Sequence, residues 1–331
     1  MQATLAVTFP FFALVFAGWL LARIRLLTRP RLAWLNKFIL YLALPCMLFR
    51  FTQQTPFAQI ANLHYFFGYA VTGISVAALF IVIDKMFFGE PIHEAGFAGY
   101  AAAHGNVGYL GLPLAIGLIG AAAVPYVVLA VMADLLVVSS LCLAVAASGG
   151  GAGGGAGGST GGGAPGPLAT FVNALKGALA NPLPWSAALG ALASALSLQI
   201  PETVDLALKP LALAASPCAL MAIGAALVRD AGRDGFTTSL ADAWWISYGK
   251  LLVHPFIAAV LAKFVFGFTK PELEVAVLCA ALPVAGSIYI FAERRGANAA
   301  RVSHAILVST ISAFATFSLI VWAMGIRPPE S

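Results

Sequence analysis

Charge is scarce in this sequence: Asp, Glu, Lys and Arg make up only 9% of its 331 residues, against roughly 25% in an average soluble domain. That shortage excludes an ordinary water-soluble fold. The formal charge of +5 does not build a nucleic-acid patch either, because the Lys and Arg residues stand between apolar runs. Four cysteines, Cys46, Cys142, Cys218 and Cys279, all lie inside apolar segments with no CxxC or Cys/His spacing, and they read as small buried hydrophobes. There is no HExxH motif, no apposed aspartate pair and no phosphate-cradling Walker loop. These absences argue against enzyme chemistry and nucleotide hydrolysis, and imply neither a metal nor an organic cofactor.

What the chain does have is apolar length, with 61% hydrophobic residues. A membrane-crossing helix needs about 20 mostly apolar residues. Such runs are expected near 4–22, 33–51, 64–83, 97–119 and 124–147, then near 183–199, 203–227, 241–267, 273–292 and 301–324. The first run has no basic n-region and no small-residue cleavage site before Arg23 and Arg25, and it reads as a retained span. The expected fold is therefore an all-α polytopic membrane protein of ten helices. Two five-helix units, 1–147 and 167–331, flank a glycine-rich cytoplasmic linker at 148–166, in which twelve of nineteen residues are glycine. Its GxGxxG-like strings follow from composition and do not mark a dinucleotide site. Twelve Lys and Arg residues fall on one side of this arrangement, five on the other, and Lys250 lies within a span. The positive-inside rule then places both termini outside a bacterial-type inner membrane.

The halves echo each other. Lys37 to Leu48 (KFILYLALPCML) matches Lys209 to Leu220 (KPLALAASPCAL) at lysine, alanine, Pro-Cys and leucine, and Leu112-Pro113-Leu114-Ala115 matches Leu282-Pro283-Val284-Ala285. Units with an odd number of spans insert in opposite orientations, which makes the repeat an inverted one, the architecture of secondary transporters.

Within the fourth span, His104-Gly105-Asn106-Val107-Gly108-Tyr109-Leu110-Gly111-Leu112-Pro113 does not suit a continuous helix. Each glycine costs about 1 kcal/mol relative to alanine and an interior proline about 3. The span is expected to break, with Pro113 opening a second half-helix and Pro283 doing the same in the ninth span. Half-helix N-termini offer unpaired N–H groups and partial positive charge, suited to a carboxylate. The candidate binding residues are Asn106, Gly108, Tyr109 and Pro113 on one span, with Pro283, Gly286, Ser287 and Tyr289 on the other. Packed helices with simple proline kinks are the structural alternative.

Asp134, midway along the fifth span, should face the interior and either carry a proton or cation or sit in a structural pair. Lys250 and His254 share a helix face at i and i+4. Lys250 supplies charge to a substrate, neutralises Asp134, or snorkels to water. His104 either titrates or rests bonded to a backbone carbonyl, and His304 is expected at the interface. The hydroxyls of the tenth span, Ser309 and Thr310 among them, bond to helix carbonyls or coordinate sodium.

From Gly105 to Pro113, with Ser216-Pro217-Cys218-Ala219-Leu220 and Leu282-Pro283 following, the chain resembles the auxin efflux carrier family over essentially its whole length. The resemblance implies inverted five-helix repeats, a scaffold and a transport domain, crossed broken helices in spans four and nine, and elevator-like alternating access. Asn106, Pro113 and Pro283 take the family's crossover positions. Plant-type members carry a second asparagine in the ninth-span crossover, whereas Val275 to Ala285 contains none, and a short glycine linker replaces their long loop. Both departures count against auxin as substrate. The expected function is secondary transport of a small organic anion, coupled to H+ or Na+. A sodium-coupled symporter of the bile acid carrier type is the nearest rival, and a non-transporting sensor or scaffold the alternative of another class. The apolar outer faces fit either lipid or a second copy of the chain.

Overall fold

The computed structural model describes residues 2–148, 167–230 and 240–326. The glycine linker, apart from Ser148, lies outside the described residues. The first stretch forms α1 (Gln2–Arg23), α2 (Arg29–Phe38), α3 (Leu44–Gln54), α4 (Phe57–Ile60), α5 (Leu63–Phe87), α6 (Ile92–Ala103), α7 (Leu112–Ile119), α8 (Val124–Ala133) and α9 (Ser139–Ser148). The rest forms α10 (Pro167–Leu179), α11 (Pro182–Ala195), α12 (Glu202–Asp230), α13 (Leu240–Tyr248), α14 (His254–Val260), α15 (Lys270–Ala280), α16 (Ser287–Arg294) and α17 (Ala299–Ala323). Among the described residues the only β-type pairing is an isolated antiparallel bridge between Gly105 and Val284.

Among the described residues five π turns occur: three, Ile39–Ala43, Asp134–Val138 and Gly249–Val253, lie inside continuing rods, Val107–Gly111 begins a helix, and Leu261–Val265 ends one. Three of them, Ile39–Ala43, Val107–Gly111 and Gly249–Val253, immediately precede a Leu-Pro or His-Pro pair at Pro45, Pro113 and Pro255. A proline inside a helix lacks a donor and crowds the carbonyl four residues back, and the wider π turn makes room for it. Other prolines, Pro10, Pro210 and Pro217, lie inside helices with no π turn.

Among the described residues six helical rods are long and apolar enough to cross a membrane: Arg29–Gln54, Phe57–Phe87, Ala121–Ser148, Glu202–Val228, Ala243–Val265 and Ala299–Ala323. The fourth and ninth expected spans are interrupted, so neither half reaches that length on its own. α11, at 14 residues, is also short.

α1 lies along α12, and α3 packs on both α11 and α12. Contact there is close: a Cβ on Gly224 of α12 would run into the Val15 carbonyl of α1. Between apolar helices in lipid, such close approach supplies the van der Waals attraction that water would otherwise drive. The second group pairs α5 with α6 and α8, α6 with α9, α13 with α17, and α14 with α15. Phe80, Phe97, Tyr100, Ile246, Ile288 and Val302 fill part of its core.

Each group carries a bidentate ion pair. Arg301, in the first turn of α17, donates to Asp84 at the end of α5 through Nη1 (2.9 Å) and Nη2 (2.6 Å), with both side chains buried. Arg50 of α3 donates to Asp205 of α12 at 2.6 and 3.0 Å in a more open setting. Glu94 accepts from the Asn298 N–H, and Asn298 caps Arg301, so the start of α17 is fixed to α5 and α6 together.

Candidate functional site: two interrupted helices and a buried cation

α6 ends at Ala103, His104 is extended (φ −99°, ψ 109°), and the helix resumes at Val107 with Asn106 as its cap. α15 ends at Ala280, and α16 resumes at Ser287 behind Gly286. The two unwound segments run antiparallel and satisfy each other. Asn106 N–H donates to the Pro283 carbonyl (2.9 Å) and Ala285 N–H to the His104 carbonyl (3.2 Å). Val284 N–H, the remaining donor of the second segment's middle, reaches Ser309 Oγ on α17 at 3.1 Å. Irregular backbone at membrane depth is stable only when paired in this way or facing water.

The break is therefore real, but neither proline opens a half-helix. Pro113 sits within a helix that has already restarted at Val107, its clash absorbed by the π turn Val107–Gly111. Pro283 lies in the unwound segment itself and contributes its carbonyl. The free helix starts are at Val107 and Ser287. The first N–H groups of a helix have no intrahelical acceptor, and neither Asn106 nor Gly286 provides a side-chain cap; in the second helix the Ile288 N–H is taken by the Ala285 carbonyl at 3.2 Å, while that of Ser287 is left at the start. A Cβ on Gly108 or on Gly286 would meet nothing within 4 Å. Open space thus adjoins both helix starts, and Gly286 and Ser287 are exposed while Gly108 and Tyr109 are half-buried. Asn106 is 9% exposed, and its amide finds no hydrogen-bond partner among the described residues. Tyr289 points along its own helix, donating to Glu293 Oε1.

Asp134 is buried, as expected, at the first position of the π turn Asp134–Val138. Its backbone carbonyl accepts from Ser139 Oγ, which Tyr100 Oη holds at 2.8 Å. Its carboxylate oxygens have no hydrogen bond within the described residues. The neighbour is His104, whose Nδ1 stands 3.8 Å from Oδ2. His104 is thus not the carbonyl-bonded ring the sequence allowed, and it stacks at an angle on Tyr100.

Lys250 does not snorkel. It is fully buried, donates from Nζ to the Ala280 carbonyl at 2.6 Å, and stands 2.9 Å from His254 Nδ1. It makes no ion pair with Asp134 within 4 Å; the partner of Asp134 at that range is His104. A Cβ on Gly105 would come within 3.0 Å of both Lys250 Nζ and the Cys279 carbonyl. That position accepts glycine because the lysine and two backbones converge there. His304, expected at the interface, is buried. Ser309 and Thr310 both donate to the Ile306 carbonyl.

Two residues near the crossing escaped the sequence reading. The hydroxyls of Tyr65 and Tyr69 on α5 are buried and have no hydrogen bond among the described residues. Their i, i+4 spacing on an apolar helix was the available signal. Away from the crossing, an apolar cavity of about 300 Å³ lies between the two helix groups, lined by Val128, Met132 and Leu136 on one side and Pro184, Ala187 and Ala191 on the other.

A helical membrane protein whose interrupted helices pair at their breaks and leave helix starts uncapped over open space has the build of a carrier. The comparisons agree on the class. The family described as "Membrane transport protein" matches residues 4–153 and 167–323, and the chain belongs to it, the family of the auxin efflux carriers. A Rhizobium meliloti (strain 1021) protein described as a "Putative malonate transporter" is 28% identical over 314 residues, covering 95% of this chain and 93% of that one.

Proposed function

We propose that this chain is a secondary carrier of small organic anions, with ten membrane crossings arranged as two inverted five-helix repeats and both termini outside an inner membrane. The observation that carries the reading is the pair of uncapped helix starts at Val107 and Ser287, with open space beside Gly108 and Gly286. Each helix start is equivalent to roughly +0.5 of a charge, so the two together match one carboxylate. Asn106, Gly108 and Tyr109 line one start, and Gly286 and Ser287 the other. Pro283 keeps the segments paired, and Pro113 stabilises the turn behind the first start. The description of the relative as a putative malonate transporter supports trying short dicarboxylates first as substrates.

Alternating access would be of the elevator type. The group containing the crossing would slide against α1, α3, α11 and α12. Asp134, with His104 beside it, is the titrating element in this reading, and Lys250 with His254 balances charge.

The test is a thermal-shift screen of purified protein with malonate, malate, acetate and a neutral amide of the same size, repeated on Asn106→Ala. A carboxylate should raise the wild-type midpoint more than that of the variant. Equal response, or no carboxylate response in the wild type, removes the proposed site.

A further inference from the structure

An ammonium at membrane depth costs at least about 2.5 kcal/mol on insertion scales, so a fully buried lysine is retained only where its surroundings replace water. The surroundings of Lys250 are specific. Ala280, whose carbonyl accepts a hydrogen bond from Lys250 Nζ at 2.6 Å, is the last residue of α15. That carbonyl is one of the four at a helix C-terminus with no intrahelical donor, and it carries the negative end of the helix dipole. Cys279 O belongs to the same helix end and converges with Nζ on Gly105 in the other interrupted helix. His254 completes the set; with Lys250 donating, its ring accepts on Nδ1 and keeps its proton on Nε2.

Carbonyls at a half-helix C-terminus beside unwound backbone are the ligands with which carriers of interrupted-helix design hold a coupling sodium ion. In this chain a side chain already occupies them. We propose that the Lys250 ammonium is a tethered resident cation seated where a coupling cation would bind, so that the crossing is charge-complete without sodium. Removing the ammonium then opens the seat to a diffusible monovalent cation. The consequence for transport, sodium-independent flux, rests on the carrier reading; occupancy of the seat does not.

The experiment uses full-length protein in detergent and contains no carboxylate, so it is blind to failure of the substrate assignment. Melting midpoints are compared in NaCl, KCl, propylammonium chloride and choline chloride at equal ionic strength. Wild type should melt at the same temperature in all four. Lys250→Ala should melt lower in choline chloride and recover part of the loss in the sodium salt or in propylammonium chloride, whose chain refills the vacated stem. Lys250→Met, which fills the volume without a charge, should show no cation response. If Lys250→Ala is monodisperse only when purified in propylammonium chloride, that also supports the proposal. Sodium stabilising the wild type over choline overturns it, as does Lys250→Ala that responds to none of the cations or cannot be recovered in any of them.

Discussion

Removing Arg301 probes how the start of α17 is fixed. Its two hydrogen bonds to Asp84, at 2.9 and 2.6 Å, link residues 217 positions apart. The side chains are 6% and 0% exposed, so solvent cannot take over the contact. Breaking one side of a buried ion pair costs about 3–5 kcal/mol, chiefly because the surviving charge is left without compensation. With roughly 2 °C lost per kcal/mol in a chain of this length, Arg301→Met should lower the melting midpoint by about 6–10 °C. The logic makes a second, sharper demand. Asp84→Leu combined with Arg301→Met removes both charges, so the double variant should melt above Arg301→Met alone. Arg50 and Asp205 serve as the internal comparison, since their 17% and 31% exposure puts Arg50→Gln at about 1 kcal/mol or less. Scanning fluorimetry on the four proteins decides. Equal losses for Arg301→Met and Arg50→Gln, or a double variant less stable than the single, would refute the reasoning.

Other consequences follow from the crossing. Gly105→Ala places a methyl 3.0 Å from Cys279 O and Lys250 Nζ, and overpacking of this kind costs about 1–3 kcal/mol; the melting midpoint should fall while the same change at the open Gly108 leaves it nearly unchanged. Asp134→Asn fixes a neutral side chain at the one buried carboxylate beside His104. Its flux should lose pH dependence in proteoliposomes, and an unaltered pH profile would take Asp134 out of coupling.

The sequence disclosed the two helix interruptions more fully than their geometry. Glycines in a long apolar run located the first interruption, because helix propensity is a local property. The echo of Leu112-Pro113 in Leu282-Pro283 located the second. Their pairing is visible only in the hydrogen bonds between Asn106 and Pro283 and between Ala285 and His104. The role given to the prolines was displaced for a physical reason: a π turn accommodates a proline that a strict α-helix would reject, so Pro113 lies inside a helix already begun. The i, i+4 spacing of Lys250 and His254 correctly placed them in contact, but spacing carries no depth, and snorkelling was equally consistent with it. The Arg301–Asp84 pair depends on which helices become neighbours, which no local pattern encodes; the i, i+4 spacing of Tyr65 and Tyr69 marks a shared helix face but not what that face meets.

The central claim is that an organic anion is held between the two helix starts, with Asn106 as its side-chain amide. It is tested most directly by counterflow of labelled malonate in proteoliposomes. The account predicts exchange by the wild type that unlabelled short dicarboxylates compete away and that falls at least tenfold in Asn106→Ala. Exchange in that variant equal to the wild type would contradict it.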